Sequence, residues 1–192
     1  MQMIPLSRIV SFWADIQPDR AAIYHDGETI TWGELERQTN RLARAYEALG
    51  VGQDDFVTIA LPNGIEFFKS TIATWKIGAT PQPISAKLPK FERDQIVDVG
   101  NPKLITGVAD GSHQGYVTVP VGYAPDASLS DTQLPEKTAN SFKAMTSGGS
   151  TGRPKLIVAA NPAVWDIDTC RLHTQLKGSM LIPGPLYHNG PF

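Results

Sequence analysis

The segment most able to do chemistry runs Met145-Thr146-Ser147-Gly148-Gly149-Ser150-Thr151-Gly152-Arg153-Pro154-Lys155. It holds three glycines, four hydroxyl residues and a lysine in eleven positions, and it contains no acidic residue. Glycines let a backbone turn sharply and bring its N–H groups close to a ligand. The hydroxyls of Thr146, Ser147, Ser150 and Thr151 can donate to phosphate oxygens, and Lys155 adds a point charge at the far end. The order of residues differs from the loop of P-loop NTPases, in which Gly-Lys is followed by Ser or Thr at the head of a helix. Here Pro154 precedes Lys155 and an apolar, strand-like run follows it. Phosphate would meet a hydroxyl-rich hairpin rather than a helix N-terminus. Residue types alone leave two readings open, a polyphosphate cradle and a polar turn.

Other residues with chemical potential carry weaker patterns. His188 follows Pro183-Gly184-Pro185, where a histidine packed against a proline turn is the plain reading. Asp166 and Asp168 diverge at helical spacing, so with His173 they read as a solvated face and not as metal ligands. His25 and His113 fall in expected turns with no visible partner. Cys170 is the single cysteine, which excludes an intrachain disulfide and a Cys-based metal cage. A serine hydrolase, whose nucleophile elbow needs a helix after the turn, is not expected, because a strand-like run follows the glycine-rich loop.

The elements that must position the loop follow from periodicity and punctuation. Ala21–Tyr24 and Glu28–Thr31 flank His25-Asp26-Gly27, the pattern of a hairpin. Thr31 and Glu34 have capping-box spacing, predicting a helix with Leu35, Leu42, Tyr46 and Leu49 on one face and Gly50 at its end. Phe56–Leu61 reads as a buried strand and Ile65–Ile77 as a helix with Ile65, Phe68, Ile72 and Trp75 on its face. Thr80–Ser85 is extended, Lys90–Val99 a short helix, and Lys103–Gly107 and Tyr116–Val119 are strands. Residues 109–139 read as an irregular surface connection. Beyond the loop the pattern predicts a strand at Leu156–Ala159, a helix over Pro162–Leu176 and a strand at Ser179–Ile182. The rhythm is that of an α/β protein with a layered, largely parallel sheet flanked by helices. The expected organisation is a first α/β lobe over 1–106, a connection over 107–140, and the loop segment over 141–192.

Composition narrows the function classes. In 192 residues, 17 Lys plus Arg nearly balance 19 Asp plus Glu, for a formal net charge of -2. No broad basic field is available for nucleic acid, so any anion site is local. No stretch approaches the ~18 apolar residues of a membrane span, and the start lacks a signal-peptide pattern. A cytoplasmic protein is expected.

Thr146 to Lys155 resembles the signature phosphate loop of the adenylate-forming, or AMP-binding, superfamily. Those enzymes include acyl- and aryl-CoA synthetases, peptide-synthetase adenylation domains and luciferases. Gly149 stands where Thr or Ser is more usual. Ile30–Leu35, Ala73–Ala79 and Pro185–Gly190 resemble further family segments in the expected order, the last in the form common among acyl-CoA synthetases. The resemblance implies the N-terminal part of the large domain of an enzyme that joins a carboxylate to the α-phosphate of ATP. AMP is then exchanged for a thiol, with magnesium sharing the phosphate charge and coenzyme A as co-substrate. On that basis Thr146, Ser147, Gly148, Gly149, Ser150, Thr151, Gly152 and Lys155 would hold the β- and γ-phosphates. His188 would lie beside the carboxylate and α-phosphate, with Asn189 and Gly190 shaping the acyl pocket. The family's adenine, ribose and magnesium residues and its C-terminal lysine have no counterpart in the 192 residues. Little or no ligase activity is therefore expected of them alone, and self-association through an uncovered sheet edge is expected. The acid itself is left open, and a noncatalytic nucleotide-binding remnant and an unrelated phosphate-binding α/β protein are the alternatives.

Overall fold

The computed structural model describes residues 3–147, 153–166 and 178–192. The chain opens with β1 (Met3–Pro5) and α1 (Arg8–Ile16), neither of which the sequence pattern announced. A hairpin follows, β2 (Ala21–His25) and β3 (Glu28–Thr31), and leads into α2 (Trp32–Ala48). The parallel layer then alternates as β4 (Phe56–Ile59), α3 (Ile65–Lys76), β5 (Thr80–Pro83), α4 (Lys90–Gly100), β6 (Leu104–Thr106) and β7 (Val117–Val119). The last described strands are β8 (Ala144–Thr146), β9 (Leu156–Val158) and β10 (Val164–Asp166).

The hairpin turn places Asp26 at φ 50° and Gly27 at φ 85°. Positive φ at both central residues is the geometry that matches the twist of paired strands, and Asp-Gly tolerates it. At the entry to α2, the Thr31 hydroxyl accepts from the Glu34 N–H at 3.3 Å. The reciprocal half of the capping box is not made. The Glu34 carboxylate instead accepts from Gln38 and Arg37, each at 2.6 Å, and these bonds hold its pKa below the usual carboxylate value.

The four-stranded parallel sheet has the order β5-β4-β6-β7. Its edge strand β5 is buried and contains Pro81 and Pro83. Thr80 and Ile84 donate their N–H groups to Asp55 and Ile59 on the β4 side. The alternation of strand backbone points the proline positions away from β4, where no ladder donor is needed. The main core packs Leu42, Ala43 and Tyr46 of α2 and Phe67 and Ala73 of α3 onto Val57, Ile59 and Leu104 of the sheet.

One expectation is corrected by this packing. On α3 the deepest side chains are Phe67 and Ala73, whereas Ile65, Phe68 and Trp75 are half-buried. The helix is covered by α2 and the sheet around much of its circumference, so Ser70, Thr71 and Thr74 are buried as well and no single apolar stripe decides its orientation. Ser70 meets that burial with its hydroxyl 3.0 Å from that of Tyr46 and 3.3 Å from that of Thr106.

The helix expected from Pro162 is replaced, over its described part, by β10. It pairs antiparallel with β1 in the register Met3↔Asp166, Ile4↔Trp165, Pro5↔Val164. A partner some 160 positions away supplies the ladder, and local periodicity cannot see it. The remainder of that expected helix, with Asp168, Cys170 and His173, lies outside the described residues. No strand forms over Ser179–Ile182, which runs without a ladder partner.

The irregular connection is fastened by α2. Arg41 donates to Leu129 O at 3.0 Å, Arg44 to Thr132 O at 2.7 Å and Asn40 to Asp131 O at 2.9 Å. Side-chain donors thus satisfy carbonyls that have no strand to pair with. Among the described residues no helix is long and apolar enough to cross a membrane.

Candidate functional site

The glycine-rich segment leaves and re-enters a β-hairpin. Strands β8 and β9 pair antiparallel in the register Ala144↔Val158, Met145↔Ile157, Thr146↔Leu156. One step further, Ser147 N–H donates to Lys155 O at 2.9 Å and Lys155 N–H donates to Ser147 Oγ at 3.2 Å. These two bonds pin the foot of the loop. Gly148, Gly149, Ser150, Thr151 and Gly152 lie outside the described residues. At the foot, Thr146 and Ser147 are half-buried and Lys155 is exposed.

The hairpin is tied to the main layer through the residues that lead into β8. The Thr80 hydroxyl donates to Ser141 O at 3.0 Å, and the Trp75 indole N–H to Phe142 O at 2.8 Å. The loop is therefore carried by α3 and β5 rather than by a helix of its own.

The second candidate segment, Pro183 to Phe192, is a sequence of tight turns seated on the same layer. Asn63, between β4 and α3, holds its first part from both ends of one amide. Its Oδ1 accepts from Leu186 N–H at 2.9 Å and its Nδ2 donates to Gly184 O at 3.0 Å. Leu186 is thereby inserted into the main core. A Cβ on Gly184 would fall 2.5 Å from Pro191 Cγ, so the turn closes only around glycine. His188 N–H donates to Pro185 O at 3.0 Å, and Phe192 N–H to His188 O at 3.2 Å. The His188 side chain is exposed and lies with its ring centroid 4.5 Å from that of Tyr187. It is not the packed histidine that the proline turn alone suggested. Asn189 and Gly190 are exposed beside it.

The two candidate sets meet through a residue that sequence reasoning passed over. Lys143, immediately before β8, sends its ammonium to Asn189 O at 3.2 Å. Its one available signal in the sequence was a lone charge between Phe142 and Ala144. Among the described residues no hydrogen bond joins Thr146, Ser147 or Lys155 directly to His188, Asn189 or Gly190.

His113 is a further correction. It is buried, 4% exposed, and far from partnerless. Arg93 donates to its Nε2 at 3.2 Å, which makes that nitrogen the acceptor and leaves Nδ1–H to face the Ser112 hydroxyl at 3.0 Å. Burial, then the Arg93 charge, pushes its pKa below the ordinary value of 6.5, while Asp94 pulls the other way. It borders a cleft of about 220 Å³ with Lys90, Asp94 and Tyr116, which none of the loop or turn residues line. Among the described residues no group of three or more His, Cys, Asp or Glu could hold a metal ion.

The family model for AMP-binding enzymes matches residues 10–192. The chain belongs to the AMP-binding enzyme family. Feruloyl-CoA synthase of Amycolatopsis sp is 28% identical over 185 residues, covering 91% of this chain and 38% of that protein. Acetyl-coenzyme A synthetase 1 of Candida albicans is 33% identical over 129 residues, 64% of this chain and 19% of that one. Malpibaldin synthetase of Mortierella alpina is 26% identical over 83% of this chain, which is 3% of its own length. The chain thus spans well under half the length of these relatives. Among solved structures, the N-terminal subdomain of Klebsiella oxytoca NpsA superposes with a TM-score of 0.69 at 20% identity, covering 82% of this chain and 42% of that one. Mycobacterium tuberculosis fatty acyl CoA synthetase gives 0.68 at 20% identity, over 81% and 34%. The α/β fold with its parallel sheet is that of the N-terminal subdomain of adenylate-forming enzymes.

Proposed function

We propose that this chain serves ATP-dependent carboxylate activation. A carboxylate oxygen attacks the α-phosphorus of ATP, the bond to the β-phosphate oxygen breaks, and pyrophosphate leaves with that electron pair. A thiol then attacks the acyl carbon and AMP departs, giving a thioester. The observation that carries this reading is the hairpin pinned between Ser147 and Lys155, with an exposed ammonium at the foot of a glycine- and hydroxyl-rich loop.

In this reading Thr146, Ser147, Gly148, Gly149, Ser150, Thr151 and Gly152 surround the β- and γ-phosphates. Lys155 opposes the charge that builds on the leaving pyrophosphate, where a fixed cation lowers the barrier most. Magnesium bound with the nucleotide would share that charge. His188, exposed on its anchored turn, faces the carboxylate and α-phosphate, and Asn189 and Gly190 leave room for the acyl group. Coenzyme A is the proposed thiol, supported by the match to feruloyl-CoA synthase along 91% of this chain. A cytoplasmic setting, where ATP and CoA are abundant, belongs to the same proposal.

Carboxylate-dependent exchange of labelled pyrophosphate into ATP tests the first half-reaction. It is measured on the 192-residue chain and on any longer protein containing it, across aliphatic, aromatic and polycyclic acids. In a longer protein we expect acid-dependent exchange that falls at least ~10-fold in His188→Ala, the loss of one positioned polar group in a transition state, and little or no exchange from the 192 residues alone. Nucleotide binding with no exchange for any acid supports the noncatalytic alternative. Exchange that is indifferent to His188 removes that residue from the site.

A further inference from the structure

Lys143 is 8% exposed and has no carboxylate partner among the described residues. Its ammonium lies 5.1 Å from the Phe142 ring centroid and 5.5 Å from that of Phe192, and donates to Asn189 O at 3.2 Å. Two aromatic faces within about 6 Å offset part of the cost of withdrawing a cation from water, but not the whole of it. That cost also shows in a pKa drawn below the ordinary lysine value by burial. A methionine would fill the same space without it. What methionine cannot do is donate a hydrogen bond to Asn189 O.

That bond completes a two-point clamp. Asn63 holds Gly184 O and Leu186 N–H at the entry of the turn, and Lys143 holds Asn189 O at its exit. Phe192 closes the far side, stacked on Trp75 at 6.0 Å and edge-on to Phe67 at 5.9 Å. Between the two anchored points stands the exposed His188. We propose that Lys143 is the positioning residue for His188. By gripping the neighbouring carbonyl from the position just before β8, it fixes the turn against the strand that leads into the phosphate loop. The inference rests on the proposed role of His188 in the acyl site.

The test is the ring resonance of His188 in the 192-residue chain, which contains four histidines. It is assigned by its loss in His188→Ala. In the unmutated chain we expect the His188 Hε1 line to be displaced by the Tyr187 ring. In Lys143→Met it moves to the position of an unconstrained histidine, and Lys143→Arg, which keeps a donor, brings it back. The buried His113 line stays in place throughout and reports an intact fold. An unmoved His188 line in a folded Lys143→Met chain overturns the proposal. Should Lys143→Met lose the His113 line too, the unmutated chain decides. Lys143 ammonium hydrogens that exchange slowly and show contacts to the Phe192 ring support the clamp, whereas rapid solvent exchange overturns it. None of these readouts needs nucleotide, acid or turnover. Failure of the phosphate reading would appear separately, as ATP affinity indifferent to Lys155.

Discussion

At the scale of single residues, charge in this protein is arranged by burial and partners rather than by number. Seventeen basic and nineteen acidic side chains nearly cancel, yet Lys143, Lys76 and His113 are all buried. His113 makes a prediction about pH. Its folded pKa lies below the ordinary 6.5, so below that value the unfolded chain binds the proton more readily than the folded one. The stability it contributes is fully present above pH ~6.5 and is lost as pH falls through the window beneath it. Denaturant titrations between pH 7 and 5 should therefore show stability falling on acidification, with a shallower slope in His113→Gln. Equal slopes would remove His113 as the cause. The residue types of the glycine- and hydroxyl-rich loop were legible in sequence because their order is local. Lys143 and Asn63 were not, because their partners lie 46 and 123 positions away.

Elements were legible wherever the chain itself states their limits. Thr31 and Gly50 bound α2, and Asp26-Gly27 closes the β2–β3 hairpin, from local chemistry alone. Orientation and pairing were less legible. The α3 helix shows no single stripe because it is covered on several sides, and β10 exists only because β1 offers it an edge. The contact between α2 and α3 includes a buried ion pair, Lys76 to Glu36 at 2.8 Å, with Ser11 and Asn40 also donating to that carboxylate. Desolvation lowers the Lys76 pKa, and the Glu36 charge opposes the shift. Removing one partner strands the other, so Lys76→Ala should cost about 3 kcal/mol or more. The double change Lys76→Met with Glu36→Gln should cost less than the single one. Chemical denaturation of the three chains checks this, and a single variant no worse than the double would contradict it.

At the scale of the molecule, the α/β class and parallel sheet follow from the strand–helix rhythm, and the family follows from the order of motifs along the chain. The assembly of the site is a tertiary fact. A hairpin carrying the loop, a turn carrying His188, and the residues that tie them to α3 and β5 come from five separate stretches of chain. Small relative movement between hairpin and turn would separate phosphate from acid, and proximity of that kind is worth several orders of magnitude in rate. That the loop between Ser147 and Lys155 receives the phosphates of ATP is the proposal on which the others depend. Its most direct test is calorimetric titration of ATP with magnesium into the 192-residue chain and into Lys155→Ala. ATP binding should weaken about tenfold or more, close to 1.4 kcal/mol, when the ammonium is removed. Equal affinity in both chains, or no binding in either, would contradict it.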